Sequence, residues 1–232
     1  MGVGNSARNE PAQFENLEMA LNILKSARDA GAQHFVGLGS QAEYGPVEGV
    51  ISETQNLSPT TLYGAAKAST FLATSVLAAQ MNMKFSWVRV FSTYGPGDAP
   101  YWMISDVATK LLLNEPATLT LGTQLWDYLF VDDAARAIRA VGESAEGLGP
   151  VNLGSGSAVP IREIVEKLHD ISGSRSELHF GHVPFRNDQV MHLQVDTSKL
   201  RLATGWSPRI TLDEGLLLSV NAIREELVDR SV

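Results

Sequence analysis

Apolar residues near the start of the chain recur at helical spacing: Leu17, Ala20, Leu21, Leu24 and Ala27 fall on one stripe. The pattern predicts a helix within 11–30, stopped by Gly31, after a ten-residue loop rich in Gly, Asn and Ser, MGVGNSARNE. The run QHFVGLG at 33–39 is apolar and short, and predicts a buried strand with Ser40 at its end. Residues 41–60 hold two prolines and no regular pattern, and an irregular segment of that length inside a domain is more often functional than idle. A helix follows over 61–81, and KFSWVRVFS at 84–92 is rich in strand formers. The turn Tyr94-Gly-Pro-Gly-Asp98 ends that strand. Further on, a helix is predicted over 102–113, strands over 118–121, 128–131 and 150–153, and helices over 134–141 and 161–171. Asp132 and Asp133 read as acids at a helix N-terminus, with a catalytic carboxylate pair as the sharper alternative. Gly154-Ser-Gly156 is a turn. From about Arg175 the elements shorten, and a last amphipathic helix over 212–228 turns Leu216, Val220, Ile223 and Leu227 to the core.

Strand and helix in alternation predict an α/β fold with a largely parallel sheet. Ligands of such sheets bind beyond the carboxyl ends of the strands, where Ser40 and the segment Ser92–Gly95 are placed. The change of rhythm in the tail predicts a smaller second lobe, built partly from 97–125 and partly from 155–210.

Composition narrows the function classes. The chain has 232 residues, 44% of them hydrophobic, enough for one large domain or two small ones. A formal net charge of -8 argues against non-specific nucleic-acid binding and against an anionic membrane surface. The chain has no cysteine, hence no disulfide, thiol nucleophile or thiolate metal site, which fits a reducing cytoplasm. No apolar run reaches the length of a membrane span, and the first residues lack the basic start and apolar core of a signal peptide.

One pair of side chains suggests chemistry. Tyr63 and Lys67 lie four residues apart, on one face of the predicted helix. A free phenol, with a pKa of about 10, is a poor base at neutral pH, and a nearby ammonium stabilises the phenolate. Such a tyrosine exchanges a proton with a substrate hydroxyl. The same spacing also occurs by chance on surface helices, so its neighbours in the sequence decide. His179, His182 and His192 suggest a metal site, but no acidic residue or further ligand stands at motif spacing, and none is assigned.

Those neighbours form an ordered set: Asn16; FVGLGSQAEYG at 35–45; Tyr63-x-x-x-Lys67; RVFSTYG at 89–95; DYLFVDD at 127–133; NLGSG at 152–156; and Gly205-Trp-Ser-Pro208. In this the chain resembles the extended short-chain dehydrogenases/reductases, specifically the NAD-dependent epimerase/dehydratase group acting on nucleotide sugars. The resemblance implies a partial Rossmann-like sheet, doubly wound and mainly parallel, over 1–153, with a smaller substrate-binding lobe mainly over 154–232. It implies Tyr63 as acid/base, Lys67 as the residue that holds the cofactor ribose and lowers the tyrosine pKa, and Ser40 as the hydroxyl that bonds the reacting sugar oxygen and Tyr63. NAD or NADP is the implied cofactor, with hydride transfer at a sugar carbon. A homodimer is implied through the helices of 11–30 and 61–81.

The departures from the family pattern carry information too. Gln41 and Ala42 stand where dehydratases carry an acidic pair, and Glu43 is one position off, which favours an epimerase or a reductase over a 4,6-dehydratase. Ser92 stands where the family often has a substrate-contacting Asn. Trp126 replaces an Arg that binds the substrate diphosphate, which is not a conservative change. Arg186 and Asp188 resemble a late substrate-binding pair at compressed spacing; a surface arginine is the equal alternative for Arg186. The glycine-rich strand–turn–helix that binds the dinucleotide pyrophosphate does not occur in this sequence; Gly2, Gly4, Gly37 and Gly39 do not stand in that context. A truncated chain, or one completed by a separate N-terminal half, is therefore expected. Two function classes follow: an epimerase or reductase that retains its catalytic residues, or a family remnant or binding module that does not hold NAD alone.

Overall fold

The computed structural model describes residues 7–186 and 189–229. Asp188, one of the expected substrate residues, lies outside the described residues.

A 3-10 turn, Pro11–Phe14, leads into α1 (Glu15–Asp29). Strand β1 (His34–Ser40) follows, and a second 3-10 turn, Gln41–Glu43, leaves directly from its end. The segment expected to be irregular also contains a three-residue strand, β2 (Gly49–Ile51). Helix α2 (Leu62–Gln80) starts where the Thr61 hydroxyl accepts the Gly64 N–H at 3.1 Å. The run predicted as one strand at 84–92 divides into β3 (Lys84–Val90) and β4 (Ser92–Tyr94), which enter different sheets.

Next come α3 (Met103–Leu112), β5 (Ala117–Leu119), β6 (Leu125–Phe130), α4 (Val131–Gly142) and β7 (Gly149–Leu153). The remainder is β8 (Ala158–Pro160), α5 (Ile161–Ser172), β9 (Leu178–Phe180), β10 (His192–Val195), α6 (Ser198–Thr204) and α7 (Leu212–Asp229). Every strand pair among the described residues is parallel except β6 with β8, the mainly parallel Rossmann-like α/β arrangement that the alternation predicts.

The first sheet has the order β1-β3-β7. Ser40 pairs with Val90, and Val90 with Leu153, so three strands end level with one another. Helices α1 and α2 cover one face of this sheet, where Phe35, Phe71, Phe85 and Trp87 pack ring against ring. Helices α4 and α6 cover the other face over Val88, Val151 and Leu153. β1 is one of the two outer strands. No described residue pairs with its free side, and Leu38 on it is 46% exposed. The second sheet, β2-β10-β6-β4, pairs residues far apart in the chain, with β8 added beside β6. Helices α3, α5 and α7 close a third cluster around Leu111, Ile164, Leu168, Leu216 and Val220.

Two buried aspartates tie these parts together. Asp127, on β6, accepts four hydrogen bonds: Ser155 N–H at 2.8 Å, Ser155 O–H at 2.6 Å, Gly156 N–H at 2.9 Å and Val195 N–H at 3.2 Å. That set fixes the turn after β7 against β10. Asp133 is an acid in the first turn of α4, as predicted, and it is also fully buried. Its carboxylate accepts Arg209 N–H at 3.0 Å and Ile210 N–H at 2.9 Å and pairs with Arg136. With those partners it anchors the segment leading into α7, a structural task rather than the catalytic one considered from sequence.

Two stability predictions follow from these contacts. Asn at position 127 has one acceptor oxygen and turns an N–H₂ toward N–H donors, so Asp127→Asn lowers unfolding stability by about 3 kcal/mol, measured by chemical denaturation. His34 bonds the Ser86 hydroxyl at 2.9 Å and the Gly142 carbonyl at 3.2 Å. Burial pushes its pKa down, with the Lys84 charge adding to this and the Gly142 bond opposing it. The folded state thus favours the neutral ring, and the unfolded chain takes up the proton first as pH falls through about 6.5. The thermal midpoint falls between pH 7 and pH 5, and that fall is smaller in His34→Gln.

Candidate functional site

The carboxyl end of β1 is the centre of the site. Ser40 is the last residue of the strand and the cap of the turn that follows. Its Oγ accepts the Ala42 N–H at 3.2 Å, while Glu43 Oε1 accepts the Ser40 N–H at 2.8 Å, the reciprocal pattern of a capping box. With Ala42 holding one lone pair, the Ser40 O–H is left to donate, and Tyr63 is its neighbour.

Helix α2 brings Tyr63 and Lys67 to this end. Gly64 packs directly on the Ala42 carbonyl, where any side chain would collide with backbone, so the helix start lies against the 41–43 turn. The segment before α1 also holds the helix start: Tyr63 N–H donates to the Arg8 carbonyl at 2.8 Å and Leu62 N–H to Asn9 Oδ1 at 3.2 Å. Lys67 Nζ reaches back to the Leu38 carbonyl at 2.8 Å, spending one of its three donors there. Ser40, Tyr63 and Lys67 thus lie together at one strand end.

The electrostatics differ from the simple pairing drawn from sequence. Burial pushes the Tyr63 phenol up; the Ser40 side chain pulls it down, the Glu43 carboxylate pushes it up, and the Arg8 charge pulls it down. Lys67 is not among these influences. Its own pKa is lowered by burial and raised again by Glu43. With its pKa raised overall, the phenol keeps its proton at neutral pH.

Beneath Ser40 lies a buried ion pair. Glu43 is 0% exposed and Arg89 2%, and Arg89 Nε donates to Glu43 Oε2 at 2.8 Å. The other carboxylate oxygen also accepts Trp87 Nε1–H at 2.9 Å. The guanidinium lies over the rings of Tyr44 and Phe71, at 4.8 and 4.9 Å. It donates to the Tyr44 hydroxyl at 2.9 Å, which donates on to Asn152 Oδ1 at 2.7 Å. Gly39 belongs to this layer: a Cβ there would meet Trp87 and Glu43, so the glycine in β1 makes room for them. Sequence reasoning noticed Glu43 only as an acid in the wrong place, and Arg89 only as part of a landmark.

The expected substrate residues fall in two places. Ser92 and Trp126 come together, with Trp126 Nε1–H donating to Ser92 Oγ at 2.6 Å. Ser92 lies two residues beyond Val90, the register partner of Ser40, and so at the same end of the molecule. Arg186 is on the connection between β9 and β10, where its carbonyl accepts Gln189 N–H at 3.0 Å. His179 and His182 pack ring to ring at 5.1 Å, and no cluster of three or more His, Cys, Asp or Glu among the described residues is placed to hold a metal. None of the described helices is long and apolar enough to cross a membrane.

Residues 2–154 match the sequence profile of the NAD dependent epimerase/dehydratase family. UDP-glucuronate 4-epimerase of Thermodesulfobacterium geofontis is 27% identical over 91% of this chain and 66% of its own length. GDP-L-fucose synthase 1 of Arabidopsis thaliana is 29% identical over 89% of this chain and 68% of its own. The crystal structure of UDP-glucose 4-epimerase from Thermotoga maritima with UDP-glucose superposes with a TM-score of 0.87, at 26% identity, covering 98% of this chain and 76% of that one. The chain spans just under two thirds of the length of some curated relatives, 65% and 66% in two cases. With a match over more than half its residues and the parallel α/β fold to go with it, the chain belongs to the NAD dependent epimerase/dehydratase family.

Proposed function

We propose that this chain carries the proton-transfer and substrate-binding part of an NAD(P)-dependent nucleotide-sugar epimerase or reductase. The observation behind the reading is the meeting of Ser40, Tyr63 and Lys67 at the end of β1. Two ammonium donors of Lys67 remain beyond the one given to Leu38, and they suit the hydroxyls of a ribose. The Tyr63 phenol and the Ser40 hydroxyl suit a sugar oxygen that alternates between alcohol and ketone. These residues fit the nicotinamide–ribose end of a dinucleotide; for the pyrophosphate end, no glycine-rich strand-to-helix turn occurs in the sequence. A bound nicotinamide supplies hydride transfer at the sugar carbon. Tyr63 gives its proton to the oxygen when a ketone is reduced and takes it back when an alcohol is oxidised. Ser40 orients that oxygen and stabilises the phenolate by donation, and the Arg8 charge favours the same ionised form.

The segment mainly over 154–232, with 97–125, forms the substrate side of this reading, with Ser92, Trp126, Arg186 and Asp188 as its contacts. Trp126 offers one N–H, already given to Ser92, and no positive charge for a diphosphate. A strand–turn–helix unit bearing the glycine-rich turn fits the free side of β1, next to the exposed Leu38. A homodimer through α1 and α2 accords with the exposed Met19, Ile23, Leu72 and Val76 on those helices.

The second reading is a family member without turnover that does not hold NAD alone. Calorimetric titration of the 232-residue chain with NAD⁺ and NADH, alone and with an added glycine-rich half, separates the two. Micromolar binding supports the enzyme; no binding at millimolar cofactor with or without that half, in a folded chain, overturns it. On a panel of UDP-, GDP- and dTDP-sugars, Tyr63→Phe is expected to lower turnover by about 10²- to 10⁴-fold while cofactor affinity is retained.

A further inference from the structure

The Glu43–Arg89 pair lies outside every role assigned above. A pair buried this deeply is poorly explained by stability, since its desolvation offsets most of its attraction, and apolar residues of similar volume often serve as well. Its contacts show where its specificity goes. One Glu43 oxygen accepts the Ser40 N–H and the Trp87 indole N–H, at 2.8 and 2.9 Å; the other accepts from Arg89. Arg89 in turn lies against Phe71, one helical turn beyond Lys67 on α2, and against Tyr44 just after the 41–43 turn. One carboxylate therefore fixes the backbone of Ser40, and its counter-ion braces the helix that bears Tyr63. Gly64 on the Ala42 carbonyl closes the same contact from the helix side.

From this arrangement we propose that Glu43, held by Arg89, is a positioning residue that keeps the Ser40 hydroxyl against Tyr63. Glu43 touches no reacting atom; it acts through the Ser40 amide and through the short turn it closes. The catalytic importance of this contact rests on the function proposed above, whereas the contact itself does not.

The test uses the 232-residue chain made with 3-fluorotyrosine, whose phenol is more acidic than that of tyrosine, so that the titration falls within the stable range of pH. Tyr63→Phe assigns the ¹⁹F resonance. The Ser40 side chain lowers the Tyr63 pKa more than Glu43 raises it. If Glu43 holds Ser40 in place, Glu43→Leu/Arg89→Leu shifts the Tyr63 midpoint upward, in the direction of Ser40→Ala. A midpoint that stays put or moves down in a folded double variant means that only the charge was lost, and overturns the proposal. Should the double variant fail to fold by circular dichroism, Glu43→Met/Arg89→Met, which also removes the acceptor of the Ser40 N–H but keeps more of the buried volume, is read by the same criterion. In the turnover assay, kcat is expected to fall by about 10²-fold with KM unchanged, as for a misplaced catalytic group; an unchanged kcat also overturns it. If the wild-type chain turns over no sugar, the proposed reaction fails, and the fluorine titration still decides whether Glu43 places Ser40.

Discussion

The parallel pairing of β1 with β3 is the constraint on which the rest of this molecule depends. Its register places Ser40 opposite Val90, at the end of the sheet where the chain must leave the strand. The same register brings Gly37 opposite Trp87 and Gly39 opposite Arg89. Because β1 has no side chain at those two positions, Trp87 packs over the strand and the Glu43 carboxylate folds back beneath Ser40. A shift by one residue would turn Arg89 to the opposite face of the sheet and leave Glu43 buried without a cation. The strand pair therefore sets both the place of the Ser40 hydroxyl and the charge balance under it.

Helix α2 turns that local order into a site. Its small residues Gly64, Ala66, Ala68 and Ala78 are buried and allow close packing, so that Tyr63 and Lys67 reach the sheet end instead of solvent. The phenol and the ammonium are then tuned by overlapping sets of neighbours. Tyr63 responds to burial, Ser40, Glu43 and Arg8, and Lys67 to burial and Glu43. Glu43 is the one carboxylate that acts on both, holding each toward its protonated form.

Much of this was legible in the sequence, and the parts that were not share a cause. The α/β class and most helices follow from local periodicity, and Ser40, Tyr63 and Lys67 stand in motifs of short span. Strand β2 is three residues long and exists because β10, well over a hundred residues later, pairs with it. Strand β6 begins earlier than expected because the buried Asp127, unfavourable in a strand by itself, is satisfied by four donors from two distant segments. The task of Glu43 depends on Trp87 and Arg89, 44 and 46 residues away, which no local pattern reports. Local chemistry is visible in a sequence; compensation for a buried charge is visible only after folding.

That compensation also limits how this lineage changes. Replacing Glu43 alone leaves a guanidinium buried between two rings, and replacing Arg89 alone leaves a buried carboxylate, each costing about 3–5 kcal/mol. Such a cost is a large part of the whole stability of a domain, so neither position drifts by itself. Gly39 is drawn into the same bargain, since any side chain there meets both Trp87 and Glu43. Descendants of this chain are thus expected to keep or lose these residues as a set, with strong epistasis between positions that lie far apart in the sequence.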